Sequence, residues 1–262
     1  MNAFERFVLA ISATMDTPPM YGWLHLLFLG LTVLLTVLLL VLFQNADRRT
    51  ERRILLAVWL TMLLAELYKQ LVVSMTVEDG VAVWEYVWFY FPFQLCSTPL
   101  FVLPLAFLLP EGRVHRAAVS FLAPFALFGG LVVMLYPASV LYHVIGVNFQ
   151  TLIHHGLQVV SGIYLAARYR RASFSRFFSS ATLTFLCLFS IALLSNVVFR
   201  SKGLNMFYIG PYAPPPLEFL EELFRAIPYP LFLASYILLF TLVAALVLLL
   251  GRALGSLLGG KR

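Results

Sequence analysis

The chain of 262 residues is 61% hydrophobic and only 11% charged, with a formal net charge of +6. That leaves too little polar surface to cover a water-soluble globule of this size, so the bilayer must be its solvent. The basic residues lie in short clusters between apolar runs, a pattern that orients a membrane protein and excludes a nucleic-acid partner, while two cysteines inside apolar runs exclude a disulfide framework.

The first 20 residues carry Glu5, Arg6 and Asp16 and precede an apolar run too long for a signal-peptide core, so they are expected to remain as an interfacial segment. Candidate spans follow at roughly 21–44, 54–75, 83–109, 117–136, 150–168, 177–200 and 229–250, each near the roughly 20 residues that cross ~30 Å of hydrocarbon. The expected fold is all-α, a seven-helix transmembrane bundle forming one domain over residues 1–262. Thirteen Lys and Arg, from Arg48 through Arg113, Arg116 and Arg168 to Lys261 and Arg262, flank one side, against Arg6, Arg200, Lys202 and Arg225 on the other. The N-terminus is therefore predicted outside and the C-terminus cytoplasmic. Residues 201–228 form the one long connection, rich in proline, whose Leu217, Leu220, Leu223 and Phe224 recur at helical spacing and predict a short amphipathic helix.

Several spans carry polar side chains at the outer end, and such groups in hydrocarbon need a partner or a function. In the first, His25, Thr32 and Thr36 share one helical stripe; in the second, Glu66, Lys69, Gln70 and Ser74 share another, with Glu66 and Lys69 able to pair at i, i+3. That pair fits a structural pin between helices as well as a direct part in binding. In the fifth span Gln150, His154, Gln158 and Ser161 form a stripe, whereas His155 shares its face with Thr151 and Val159. The third, FYFPFQLCSTPLFVLPL, holds Pro92, Pro99 and Pro104, which free the carbonyls of Trp88, Leu95 and Leu100. It should be kinked or partly unwound around Cys96, and free backbone groups at that depth imply a cavity. A cysteine thiolate is a strong nucleophile, and an acyl thioester is a natural carrier of fatty acyl groups; Cys187 has no titratable neighbour in the sequence.

The chain resembles the YwaF-like integral membrane proteins of bacteria, related to the animal transmembrane protein 164. The resemblance rests on GWLHLLFLG at His25, FPFQLCSTPLFVLPLAFLL around Cys96, FGG in the fourth span, LIHHGL at His154 and His155, and NMF at Asn205 to Phe207. The family usually has a tyrosine between that Asn and Met, which this chain lacks. The animal relative is described as an acyltransferase of ether phospholipids with an active-site cysteine and histidine, which implies Cys96 as nucleophile and His154 or His155 as base. The family is also similar to six-helix lipid hydrolases with a catalytic threonine, which keeps Thr98 as an alternative nucleophile.

The leading expectation is an acyltransferase or acyl hydrolase acting on a membrane phospholipid or lysophospholipid in the bacterial cytoplasmic membrane. Gln94, Ser97 or freed N–H groups would hold the oxyanion. Glu66 and Lys69 would set the field or hold a headgroup and His25 would orient either, with Thr98, Gln158 and Asn205 also at the site. Counted from the outer ends, His154 lies ~6 Å deep and Cys96 ~20 Å, so the broken third span must close that gap. A proton-coupled carrier using Glu66, Lys69 and the histidines, or a non-catalytic lipid-binding protein, are the alternatives. No nucleotide loop, haem spacing or metal motif stronger than adjacent histidines is present, so no cofactor or metal is expected.

Overall fold

Residues 1–138 and 140–258 are described in a computed structural model; Lys261 and Arg262, counted among the predicted cytoplasmic charges, lie outside the described residues. The chain is mostly helical, as backbone groups in lipid require when no water can bond them. Helix α1 (Ala3–Ile11) precedes α2 (Trp23–Phe43) and α3 (Arg48–Ser74), and a hairpin of β1 (Met75–Glu78) and β2 (Val81–Trp84) follows. Then come α4 (Pro99–Leu108), α5 (Arg113–Phe121), α6 (Leu127–Leu135), α7 (Ile145–Arg168), α8 (Phe174–Val198), α9 (Glu218–Ala226) and α10 (Tyr229–Leu258). A π-turn at Leu122–Ala126, containing Pro124, joins α5 to α6, where the proline has removed one helical donor. Five helical runs, α2, α3, α5 with α6, α8 and α10, are long and apolar enough to cross a membrane.

The two other expected spans depart from the prediction for different reasons. Helix α7 begins earlier than expected, at Ile145, and is too polar to count among the apolar runs. It packs against α2, α3, α6 and α10, and most of its polar side chains are buried. Small residues allow that crowding: in GRALG of α10, a Cβ on Gly255 would stand 2.4 Å from Ala167 Cβ and one on Gly251 2.8 Å from Ala166 Cβ.

The third span, expected as a helix over 83–109 kinked or partly unwound around Cys96, is unwound over more of its length than that. Its start is a strand: Met75–Glu78 pairs antiparallel with Val81–Trp84 across a two-residue turn, Asp79 (φ 49°) and Gly80 (φ 79°). Left-handed conformation at both turn positions suits Asp-Gly, and the flanking valines suit strands, so an all-α expectation missed the hairpin. A 3-10 turn at Trp88–Tyr90 and an irregular stretch lead to α4, whose ten residues rise only about 15 Å. The three carbonyls freed by proline all find donors. Trp88 O accepts the Phe91 N–H at 3.1 Å, Leu95 O the Thr98 hydroxyl at 2.7 Å, and Leu100 O the Trp59 indole at 2.8 Å.

The whole stretch runs antiparallel along α3. Gln70 donates to Tyr90 O at 2.6 Å near one end, while Arg48 donates to Ala106 O at 2.6 Å and Arg52 to Leu109 O at 3.1 Å at the other. Helix α1 packs on the hairpin, and Tyr68 ties it down by donating to Ile11 O at 2.6 Å. Helix α9 has the expected amphipathic form, with Leu220 buried and Arg225 paired to Glu221 at 2.7 Å on its exposed face.

Candidate functional site

Cys96 lies in the unwound stretch just before α4. The N–H groups of Ser97 and Thr98 both turn back to Gln94 O, at 2.8 and 3.0 Å. The Cys96 carbonyl instead takes side-chain donors from α7: His154 Nε2 at 3.1 Å and the Gln158 amide. The predicted stripe on α7 thus meets the broken span, and the depth gap between Cys96 and His154 is closed by backbone that is not helical. Gly129 and Gly130 of the FGG sequence admit this contact. Gly129 lies against the Cys96 main chain, and a Cβ on Gly130 would stand 2.8 Å from both His155 O and Gln158 Cβ.

A cavity of about 260 Å³ opens beside Cys96, enough for several water molecules at roughly 30 Å³ each. Cys96, Ser97, His154, His155, Glu66, Lys69 and Gln94 all line it, joined by Tyr90, Tyr142, Gln150, Thr151 and Tyr208. The Glu66 carboxylate is fully engaged: Lys69 Nζ at 2.8 Å and Gln70 Nε2 at 2.7 Å on one oxygen, Gln150 Nε2 at 3.2 Å on the other. Lys69 uses one of its three N–H groups there, which leaves the others for the cavity.

Each histidine is committed on one nitrogen only. His154 Nε2 faces a carbonyl and so carries the proton, leaving Nδ1 without a partner; His155 Nδ1 donates to Thr151 O at 2.7 Å, leaving Nε2 bare. No hydrogen bond joins either ring to the Cys96 thiol among the described residues, so His154 reaches the main chain of Cys96 rather than its sulfur.

Four predicted site residues lie off the cavity wall, and each has a structural task. His25 accepts the Tyr21 N–H on Nδ1 at 3.0 Å and donates from Nε2 to Met134 O at 2.8 Å, pinning the start of α2 to the end of α6. Thr98 spends its hydroxyl on Leu95 O. Gln158 supports the Cys96 carbonyl from behind. Asn205 organises its own loop, accepting the Gly210 N–H at 2.7 Å and donating to Ala213 O at 3.1 Å. Conversely, sequence reasoning passes over Tyr90, Tyr142 and Tyr208. Isolated tyrosines outside a stripe give no signal of where they point. Among the described residues no group of three or more His, Cys, Asp or Glu could hold a metal ion.

Apolar helices around a mostly apolar cavity, with a buried ion pair and two half-engaged histidines in its wall, define an integral membrane protein with an internal site. The chain belongs to the TMEM164 family, whose profile matches residues 20–250. No curated protein and no solved structure matches it.

Proposed function

We propose that the chain is an intramembrane acyltransferase or acyl hydrolase that remodels phospholipids through a Cys96 acyl-enzyme. The observation that carries this reading is the convergence of Cys96 and His154 on one cavity, with His154 Nδ1 buried and unpartnered. His154 takes the thiol proton on that nitrogen, directly or through one water, and the sulfur attacks an ester carbonyl. His155 Nε2, bare in the same wall, is the other candidate base. Lys69 offers its free N–H groups to a lipid phosphate, and Glu66 holds Lys69 in place.

In this reading the stretch 87–109 is a membrane crossing alongside α3. With α7 and the five apolar runs it makes seven, placing the N-terminus outside and the C-terminus in the cytoplasm of a bacterial cell. The protein then belongs to the YwaF-like branch and acts on the outer half of the cytoplasmic membrane.

Mass spectrometry after incubation with a phospholipid bearing an isotope-labelled acyl chain and an unlabelled lysolipid tests the proposal. The expected result is a labelled Cys96 peptide, with label on the lysolipid for a transferase or in free fatty acid for a hydrolase, and neither in Cys96→Ala. Unchanged lipids across several headgroup classes, or turnover by Cys96→Ala equal to wild type, would overturn it.

A further inference from the structure

The loop after α8 holds an arrangement that the fold alone does not require. Phe207 and Tyr208 both have φ of 55°, a left-handed conformation that is strained for bulky residues and persists only where the surroundings fix it. They do so here. Asn196 brackets Met206 with two hydrogen bonds, accepting its N–H at 2.6 Å and donating to its carbonyl at 2.9 Å. Gln94 donates to Asn205 O at 2.9 Å, and the Tyr229 hydroxyl donates to Ile209 O at 2.6 Å. The outcome is that Phe207 is buried among Phe93, Phe185 and Phe189, while Tyr208 lines the cavity with Cys96.

An acyl-enzyme reaction needs hydrogen-bond donors where negative charge develops on the carbonyl oxygen. Of the donors that sequence suggests, the Gln94 amide is engaged with Asn205 O and the Ser97 N–H with Gln94 O, while the Ser97 hydroxyl lines the cavity. Among the described residues the Cys96 N–H has no acceptor, and the Tyr208 hydroxyl has no partner. Burial first, then the neighbouring Cys96 and Tyr90 groups, push the Tyr208 phenol well above the ordinary tyrosine value, so it keeps its proton and remains a donor.

We propose that Tyr208 is a catalytic residue whose hydroxyl, with the Cys96 N–H, donates hydrogen bonds to the oxyanion formed when the Cys96 sulfur attacks the ester carbonyl. The proposal rests on the acyl-enzyme reading given above. In that step a carbon–sulfur bond forms and the carbonyl π electrons move to oxygen. On collapse the double bond returns, the bond to the glycerol oxygen breaks, and that oxygen leaves with the proton His154 took from the thiol. The strained loop thus brings a donor to the cavity wall that Cys96 lines.

Tyr208→Phe in the full-length protein tests this, because it keeps the ring and removes a hydroxyl that nothing else uses. The expected result is a fall in kcat for acyl transfer of about 10²–10³-fold with little change in KM. Alkylation of the Cys96 peptide by iodoacetamide, which displaces iodide at a saturated carbon and forms no oxyanion, should keep its wild-type rate. Wild-type kcat in Tyr208→Phe, while Cys96→Ala is inactive, would overturn the Tyr208 role and leave the acyl-enzyme standing. Alkylation slowed in step with kcat would show a merely structural residue, and turnover by Cys96→Ala equal to wild type would remove both proposals together. If Tyr208→Phe fails to fold, a fluorinated tyrosine at 208 keeps the hydroxyl but ionises at lower pH. It should lose kcat as pH rises through a range where wild type is flat, and an unshifted pH profile would overturn the proposal.

Discussion

Helix α3 buries two carboxylates about four turns apart, and they are built for different ends. Glu51 is fully enclosed, bound by Arg48 Nη1 and Arg168 Nε at 2.8 Å each and by the Tyr169 hydroxyl at 3.1 Å. Burial, then the Glu51 carboxylate, push the Tyr169 phenol up, so that hydroxyl stays a donor. Arg168 also donates to Ala46 O, at 2.5 Å, so the knot ties the α2–α3 connection to the end of α7. Glu66 is nearly as buried but lines a cavity, and its neighbours Lys69, His154 and His155 keep unused donors or acceptors. Burial of a charge therefore does not mark the site. Unused hydrogen-bonding capacity facing a void does.

The largest test of that contrast is stability. Removing one partner of a buried ion pair leaves an uncompensated charge and costs about 3–5 kcal/mol. Glu51→Ala takes the buried carboxylate from Arg168 and leaves Arg48 only the Glu111 carboxylate, at 3.8 Å, and is expected to lower stability by that amount, measured as thermal unfolding in detergent. Glu66→Ala should lose less, since cavity water can solvate Lys69. Equal losses would place both acids in the same structural class. Activity should rank the other way: His154→Gln keeps an amide donor for the Cys96 carbonyl but supplies no base, so kcat should fall about 10²–10⁴-fold while the unfolding midpoint holds. Retained activity would move the base to His155.

Packing at the cavity end gives a smaller, intermediate effect. Gly130→Ala sets a methyl group 2.8 Å from His155 O and Gln158 Cβ, and a methyl forced into a filled space costs about 1–3 kcal/mol. Thermal unfolding should show that loss together with reduced transfer, because α7 shifts with its histidines. A loss of stability without any loss of turnover would mean that the site tolerates movement of α7.

Much of this contrast was readable in the chain, and the reasons differ by residue. The stripes of His25, Thr32 and Thr36 and of Gln150, His154 and Gln158 follow from helical periodicity, and each is buried. The carbonyls freed by Pro92, Pro99 and Pro104 follow from covalent structure, and each has a donor. The hairpin carried a legible Asp-Gly signal that lay hidden beside an apolar run. The Glu51 knot was not legible, because its partner Arg168 is 117 residues away and resembles any basic residue at a membrane edge. Tyr208 was silent too, for its direction depends on two left-handed residues that nothing local in NMFYIG demands.

Trp59 stands on α3 between the two acids and offers the finest division of the comparison. Its indole donates at 2.8 Å to the Leu100 carbonyl, which Pro104 deprives of its helical donor, and its ring packs on Phe107 at 5.7 Å. Trp59→Phe keeps an aromatic ring and removes the donor, so a buried carbonyl loses its partner at a cost of about 1 kcal/mol. Cys96 is held by His154 and Gln158 upstream of α4, not by that bond, so transfer to lysolipid should stay at the wild-type rate while unfolding moves slightly down. If turnover falls instead, the half-helix α4 and the unwound stretch move as one body, and the separation between scaffold and site on α3 lies nearer Glu51 than Trp59.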